Sequence, residues 1–166
     1  MQVACSPLCA IQLAKGKREA VERKDTAARR EAIKSLSDYT KEAQIAFNAY
    51  IRERDKDLPC ICCGGESSLT GSRGGDWDCG HYRSRGAAPQ HRYNEDNAHK
   101  QRKHCNQFKS GNTVEYRKGL IARIGIERVE ALENDNSTHK WTREELIAIR
   151  DKYRAKLKEL KSDSNV

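Results

Sequence analysis

Cys60-Ile61-Cys62-Cys63-Gly64-Gly65, then Trp77-Asp78-Cys79-Gly80-His81-Tyr82, then Arg102-Lys103-His104-Cys105-Asn106: the reading of this chain turns on these three runs. The first holds a Cys-x-x-Cys turn ending in glycine, where two thiolates can share one Zn²⁺ and glycine permits the tight backbone. A thioredoxin-like redox pair would need a strand before it and a helix after it, and that context is missing. A zinc knuckle needs a distant second half, and Cys105 is placed to supply it. A second Cys-x-x-Cys would put its first Cys at position 102, which holds Arg, a residue that cannot act as a ligand. Cys60, Cys63 and Cys105 are thus three expected zinc ligands, with the site either completed by His104, Cys79 or Cys62 or left incomplete.

Working outward, five of the seven Cys and four of the five His fall within residues 60–112. Seven is an odd count, and residues 1–13, the longest apolar-leaning stretch, have their positive charges after the apolar run rather than before it, the wrong order for an export signal. Without an oxidising compartment a disulfide framework is not expected, and the cysteines point to metal. That stretch also contains Pro7 and is shorter than the roughly 18 residues of a membrane span. A cytosolic protein with no membrane partner is the expectation.

Glycines punctuate residues 59–112, the layout of a small site held by ligands rather than by a large core. Residues 77–83 read as one strand of a hairpin, residues 87–93 as the lead into the other, and 94–105 as a return to helix. On either side the pattern is helical. Residues 10–36 are rich in Ala, Lys, Arg and Glu with sparse apolar positions, a charged arm. Residues 38–55 place Ala43, Phe47, Tyr50 and Ile51 on one face, expected to be core. Asn112-Thr-Val-Glu115 resembles a capping box opening a helix that ends at Gly125, and residues 126–133 form another short helix. Thr142-Arg-Glu-Glu145 is a second capping box with Trp141 and Leu146 as its hydrophobic staple. Leu146, Ile149, Tyr153, Leu157 and Leu160 then make a helical stripe, either core or a dimer seam. The fold class expected is α+β: an arm over 1–37, then a domain over 38–162 with a zinc-stapled core at 58–112 and C-terminal helices at 113–161.

The chain has 166 residues with 36% hydrophobic and 34% charged, so a large buried core is excluded. Its net charge of +8 is spread along the length rather than gathered in a tail. A basic surplus fits a polyanionic partner, because neutralising phosphates drives nucleic-acid binding. Arg83, Arg85, Arg92, Lys100, Lys103 and Lys109 interleave with Tyr82, Tyr93 and Phe108 around the proposed site. Cations there would contact phosphates, and the rings would stack on exposed bases.

His81 at the end of one strand, Asn97 on the return and Asn106 opening a helix are the parts of a ββα-metal nuclease. A neutral imidazole deprotonates water for attack on phosphorus, while a carboxylate and an amide oxygen hold one divalent ion on the scissile phosphate. Oxygen ligands suit Mg²⁺ or Mn²⁺ and thiolates select Zn²⁺, so two chemically distinct metal sites are expected.

DLPCICCG at 57–64, WDCGHYRSRGAAPQHRYNEDNAHKQ at 77–101, CNQFKSGN at 105–112 and VEYRKGLIARIG at 114–125 resemble the NinG/Rap recombination proteins of lambdoid phages. The likeness covers about residues 38–160. It implies a structure-specific endonuclease for Holliday junctions, D-loops and other branched intermediates, with an endonuclease VII-like HNH core and a four-Cys zinc site. Cys60, Cys63 and Cys105 match zinc ligands, His81 the general base, Asp78 and Asn106 the Mg²⁺ or Mn²⁺ ligands, and Asn97 the residue that orients the His-bearing loop. Two departures stand out. Arg102 occupies a Cys position of the family pattern, and Met1 falls just ahead of Cys5-Ser6-Pro7-Leu8-Cys9, which reads as half of an N-terminal knuckle in a truncated chain. The competing readings are a zinc-stabilised DNA-binding module without catalysis, as in a degenerate prophage, and a protein–protein adaptor working through the C-terminal stripe. A homodimer would suit a symmetric junction.

Overall fold

The computed structural model describes residues 5–66 and 76–163. It divides into two compact units, one ending at Asp38 and one beginning at Tyr39. The first carries α1 (Pro7–Ala32), none of whose described residues is buried, as its sparse apolar pattern requires. Ser6 caps it, its hydroxyl accepting from the Cys9 amide.

α2 (Leu36–Arg54) buries Ala43, Phe47, Tyr50 and Ile51, the face its periodicity marks as core. A two-stranded antiparallel sheet follows: β1 (Trp77–His81) pairs with β2 (Ala98–Arg102) in the register Trp77↔Arg102 to His81↔Ala98. The sequence reading of helix over 94–105 is corrected here. Ala98-His-Lys-Gln-Arg102 has little intrinsic strand preference, and its pairing comes from tertiary contacts on both edges. One edge bonds β1. On the other, the Lys100 amide donates to the Asp55 carboxylate and the Lys100 carbonyl accepts from the Ile61 amide. Residues 87–93 are not a strand lead either; they contain a short 3-10 turn at Pro89–His91.

A π turn at His104–Phe108 succeeds β2, then α3 (Thr113–Ile124), α4 (Ile126–Asn134) and α5 (Arg143–Asp163). The Gly125 stop is borne out, with φ +85°. The capping box at Asn112 is not: that residue is left-handed and its side chain caps nothing. At Thr142 the box is reciprocal, Thr142 N donating to Glu145 Oε2 at 2.8 Å and Glu145 N to Thr142 Oγ1 at 3.3 Å.

Two apolar clusters flank the sheet. One joins the α2 face to Cys79, Tyr93, Ala98, Leu146 and Tyr153, with Trp141, Ile149, Leu157 and Leu160 packed against it. Leu146 and Tyr153 of the C-terminal stripe are therefore core, and Ile149, Leu157 and Leu160 are partly buried against them. The other cluster joins Cys60, Ile61, Cys62 and Cys105 to Tyr116, Leu120, Val129 and Leu132 of α3 and α4.

Candidate metal centre and the histidine face

The Cys60 amide donates to the Gly65 carbonyl and the Gly64 amide to the Cys60 carbonyl, closing the knuckle, and Gly64 supplies the required φ of +63°. The Ile61–Lys100 bond ties this loop to β2, and Cys105 reaches it from the π turn. Four sulfurs result: Cys60, Cys62, Cys63 and Cys105 lie within 4.8 Å of one another. Zn–S bonds of about 2.3 Å put tetrahedral sulfurs a little under 4 Å apart, so small side-chain movements complete the site. Among the described residues this is the one group of three or more His, Cys, Asp and Glu side chains close enough to hold an ion. Bare, the thiols contend for protons: the Cys62 hydrogen bond pulls Cys60 down to about 4, and the same contact pushes Cys62 up. A cation relieves that contest by taking all four as thiolates.

Cys62 thus stands where the sequence left His104, Cys79 and Cys62 open. His104 is exposed, its ring 5.9 Å from that of Phe108. Cys79 is in the other cluster, its thiol raised to about 12 by burial. Arg102 contributes its backbone instead, its amide donating to Cys60 Sγ at 3.3 Å. Behind the sulfurs, buried Gln101 donates to Cys62 Sγ at 3.4 Å and to the Gly111 carbonyl at 2.7 Å.

Asp78 and Asn106 are brought together. Asn106 Nδ2 and Gln107 Nε2 each donate to Asp78 Oδ2 at 2.9 Å. One carboxylate and one amide that can turn its oxygen inward suit a hard ion that keeps most of its waters. His81 is not brought to them. It is three residues along β1 from Asp78, and alternation sends the two side chains to opposite faces. The His81 ring packs 6.0 Å from that of Phe47, on the Cys79 side.

His81 Nε2 lies 3.1 Å from the Arg92 carbonyl, which can only accept, so this nitrogen carries the proton and Nδ1 the lone pair. The Arg92 loop is held by buried Asn97, whose Oδ1 accepts from the Arg83 amide at 2.7 Å and whose Nδ2 donates to the Arg83 and His91 carbonyls. Asn97 thus ties the chain two residues after His81 to the turn at His91.

The basic residues divide. Arg85 and Lys109 are exposed and Lys103 half-buried. Three others turn inward. Lys100 is 5% exposed, donates to the Lys56 carbonyl and lies over the Trp77 ring. Arg83 donates to the Leu132 and Glu133 carbonyls, and Arg92 to Gln44 Oε1. Their expected role as open phosphate contacts is corrected to bracing, because buried carbonyl and amide oxygens need donors. Of the rings, Tyr93 is core and Tyr82 hydrogen-bonds Glu133, while Phe108 is 78% exposed.

Sequence reasoning missed Asp55, 2% exposed and bound by Arg54 at 2.7 and 3.0 Å, by the Lys100 amide and by Arg123. Burial raises its pKa, but hydrogen bonds from His99 and Arg54 outweigh that and hold it well below the carboxylate range. Only Arg54 beside it is local; its other partners, Lys100 and Arg123, lie 45 and 68 residues away. His81 titrates differently: burial pulls it down to about 4. An unfolded chain takes up this proton near pH 6.5. The stability His81 contributes as a neutral ring is thus complete above about pH 6.5 and lost between there and pH 4, at most about 3 kcal/mol for a fully buried ring. Asp55 acts lower, its contribution present above about pH 4 and lost as the pH falls further. Urea unfolding at pH 7 and pH 5 is expected to show lower stability at pH 5, with a smaller difference in His81→Phe. An identical difference in the variant would remove His81 as the source.

The family description "Bacteriophage Lambda NinG protein" matches residues 2–163. Protein ninG of Escherichia phage lambda is 53% identical over 134 residues, which cover 81% of this chain and 63% of that protein. Protein ninG of Salmonella phage P22 is 53% identical over 133 residues, covering 80% and 63%. That of Escherichia phage 933W is 53% identical over 134 residues, covering 81% and 64%. The matched part of the chain thus spans under two thirds of these relatives' length. No solved structure matches the chain. No helix among the described residues is long and apolar enough to cross a membrane. A family match along nearly the whole length, with relatives about half identical over some four fifths of it, leads to one conclusion: the chain belongs to the NinG family.

Proposed function

We propose that this protein is a metal-dependent endonuclease for branched DNA, built on an HNH-like ββα-metal core and stapled by zinc on Cys60, Cys62, Cys63 and Cys105. The observation that carries the reading is the state of His81. Its Nε2 proton faces the Arg92 carbonyl, burial keeps the ring uncharged at neutral pH, and Asn97 fixes the loop that bears this carbonyl. A neutral imidazole with an oriented lone pair is what abstraction of a proton from water requires. In the proposed step Nδ1 takes that proton as the water oxygen attacks phosphorus, the bond from phosphorus to the leaving sugar oxygen breaks, and solvent water protonates that oxygen; the Nε2–H···O=C bond stabilises the imidazolium that forms.

Asp78 and Asn106 would hold Mg²⁺ or Mn²⁺, which when bound neutralises charge on phosphate oxygens. Because that pair faces away from His81, the step at His81 is derived from the histidine alone. The same opposition favours a second reading, a zinc-stapled DNA-binding module without catalysis.

The test is a synthetic four-way junction incubated with wild type, His81→Ala and Asp78→Asn in Mg²⁺ or Mn²⁺. Wild-type cleavage is expected, falling about a hundred- to ten-thousandfold in His81→Ala with junction binding kept. Loss in Asp78→Asn as well would place both residues on the reaction. Equal cleavage by wild type and His81→Ala would remove His81 as the base. Binding without cleavage by the wild type would establish the second reading.

A further inference from the structure

We infer that Phe108, backed by the His104 ring, is a stacking wedge for an unpaired or unstacked base at a DNA branch point. The inference rests on the branched-DNA reading but not on catalysis. Tyr82 and Tyr93 are committed inside the fold, which leaves Phe108 as the one aromatic among the strongly exposed large apolar side chains of the described residues. A phenyl ring 78% exposed adds little to the core, and its face is open to a stacking partner.

The backbone beneath it is anchored on both sides. Cys105 sits in the sulfur cluster, and Asn106 and Gln107 both hold Asp78. After it, Ser110, Gly111 and Asn112 take positive φ of 47°, 82° and 49°. Two of these are not glycine, a strain of the kind that persists where the surroundings impose it. The Gly111 amide donates to the Asn106 carbonyl and the Gly111 carbonyl accepts from Gln101, closing the turn. A π turn allows His104 and Phe108 to approach at 5.9 Å between ring centres, a two-ring platform held before any ligand arrives. Little conformational freedom remains to be lost on binding.

Charge identifies the occupant. Residues 101–114 contain Arg102, Lys103 and Lys109 and no Asp or Glu. Lys109 adjoins the ring and is exposed. Lys109 beside the ring offers a cation to a phosphate, and the Asp78 carboxylate bonded to this turn is taken up by Asn106 and Gln107. Such an aromatic surface matches a flat base on a phosphate backbone, since every base offers a π face. A perfect duplex keeps its bases stacked. A branch exposes them, so the wedge should discriminate structure rather than sequence.

The experiment measures binding to an open four-way junction and to a linear duplex of equal length, with no divalent ion beyond the protein's zinc. Phe108→Ala should weaken junction binding by roughly five- to a hundredfold and duplex binding by less than about twofold. Phe108→Trp should restore it. 2-Aminopurine at the branch point should change fluorescence with wild type and Phe108→Trp but not with Phe108→Ala. Equal weakening on both DNAs, or none on the junction, would overturn the inference. Cleavage that survives in Phe108→Ala with unchanged junction affinity would sink the wedge and leave the nuclease standing. Phe108-dependent junction binding by a protein that never cuts would do the reverse.

Discussion

Gly119→Ala is expected to destabilise the protein by several kcal/mol, although alanine is the better helix former. On an exposed helical surface this change gains up to about 1 kcal/mol. Gly119 is instead where α3 backs onto the metal knuckle: an added Cβ would lie 1.8 Å from the Ile61 carbonyl oxygen. The obstacle is backbone, between two sulfur-bearing residues, so no rotamer change relieves it. Either α3 or the loop must move by more than an ångström. Overpacking of this kind costs about 1–3 kcal/mol and more when backbone is displaced. Gly16 in α1 is the matched control, since nothing lies within 4 Å of its added Cβ. Gly16→Ala should be neutral or stabilising by up to about 1 kcal/mol. Urea unfolding of the two variants reads the contrast directly, and Gly119→Ala should also hold zinc less tightly. Equal, mild effects would mean that α3 does not pack on Ile61 as described.

Removing the ion should have the larger effect of the two. Purified without chelator, the protein is expected to carry about one zinc per chain by elemental analysis. Structural zinc contributes about 10–16 kcal/mol of apparent folding energy in small domains. Here the helices share the load, so chelation should leave helical signal but lower the melting temperature by tens of degrees or abolish its cooperativity. Cys105→Ser should behave like the chelated protein, because Cys105 carries the sulfur that the π turn brings to the knuckle. Cys62→Ser should lose most of the metal at ordinary concentrations. His104→Ala and Cys79→Ser should keep it. Full zinc in Cys62→Ser with loss in His104→Ala would assign the fourth position to the histidine after all.

The helices were legible because their information is local. Ala43, Phe47, Tyr50 and Ile51 recur at helical spacing, and the Thr142–Glu145 box closes within four residues. At Asn112 the same kind of local rule failed, since the backbone there serves the closed turn after Phe108 rather than a cap. β2 failed for a related reason. Nothing in Ala98-His-Lys-Gln-Arg102 alternates by hydropathy; it is a strand because β1, Asp55 and Ile61 bond its backbone from both sides. Charge misled at Lys100, Arg83 and Arg92 because a Lys or Arg reads alike in sequence whether it meets solvent or braces a buried oxygen.

By itself, then, the order of residues determined the helices, the concentration of sulfur between positions 60 and 105, and the kinship to NinG. Tertiary structure decided which four sulfurs meet, that Asp78 and His81 part company across a strand, and which of three aromatic side chains stays outside. The division has one cause. Periodicity and capping act over a few residues, whereas a ligand set, a strand partner and a buried carboxylate depend on groups tens of residues apart, whose meeting is fixed only when the whole domain closes.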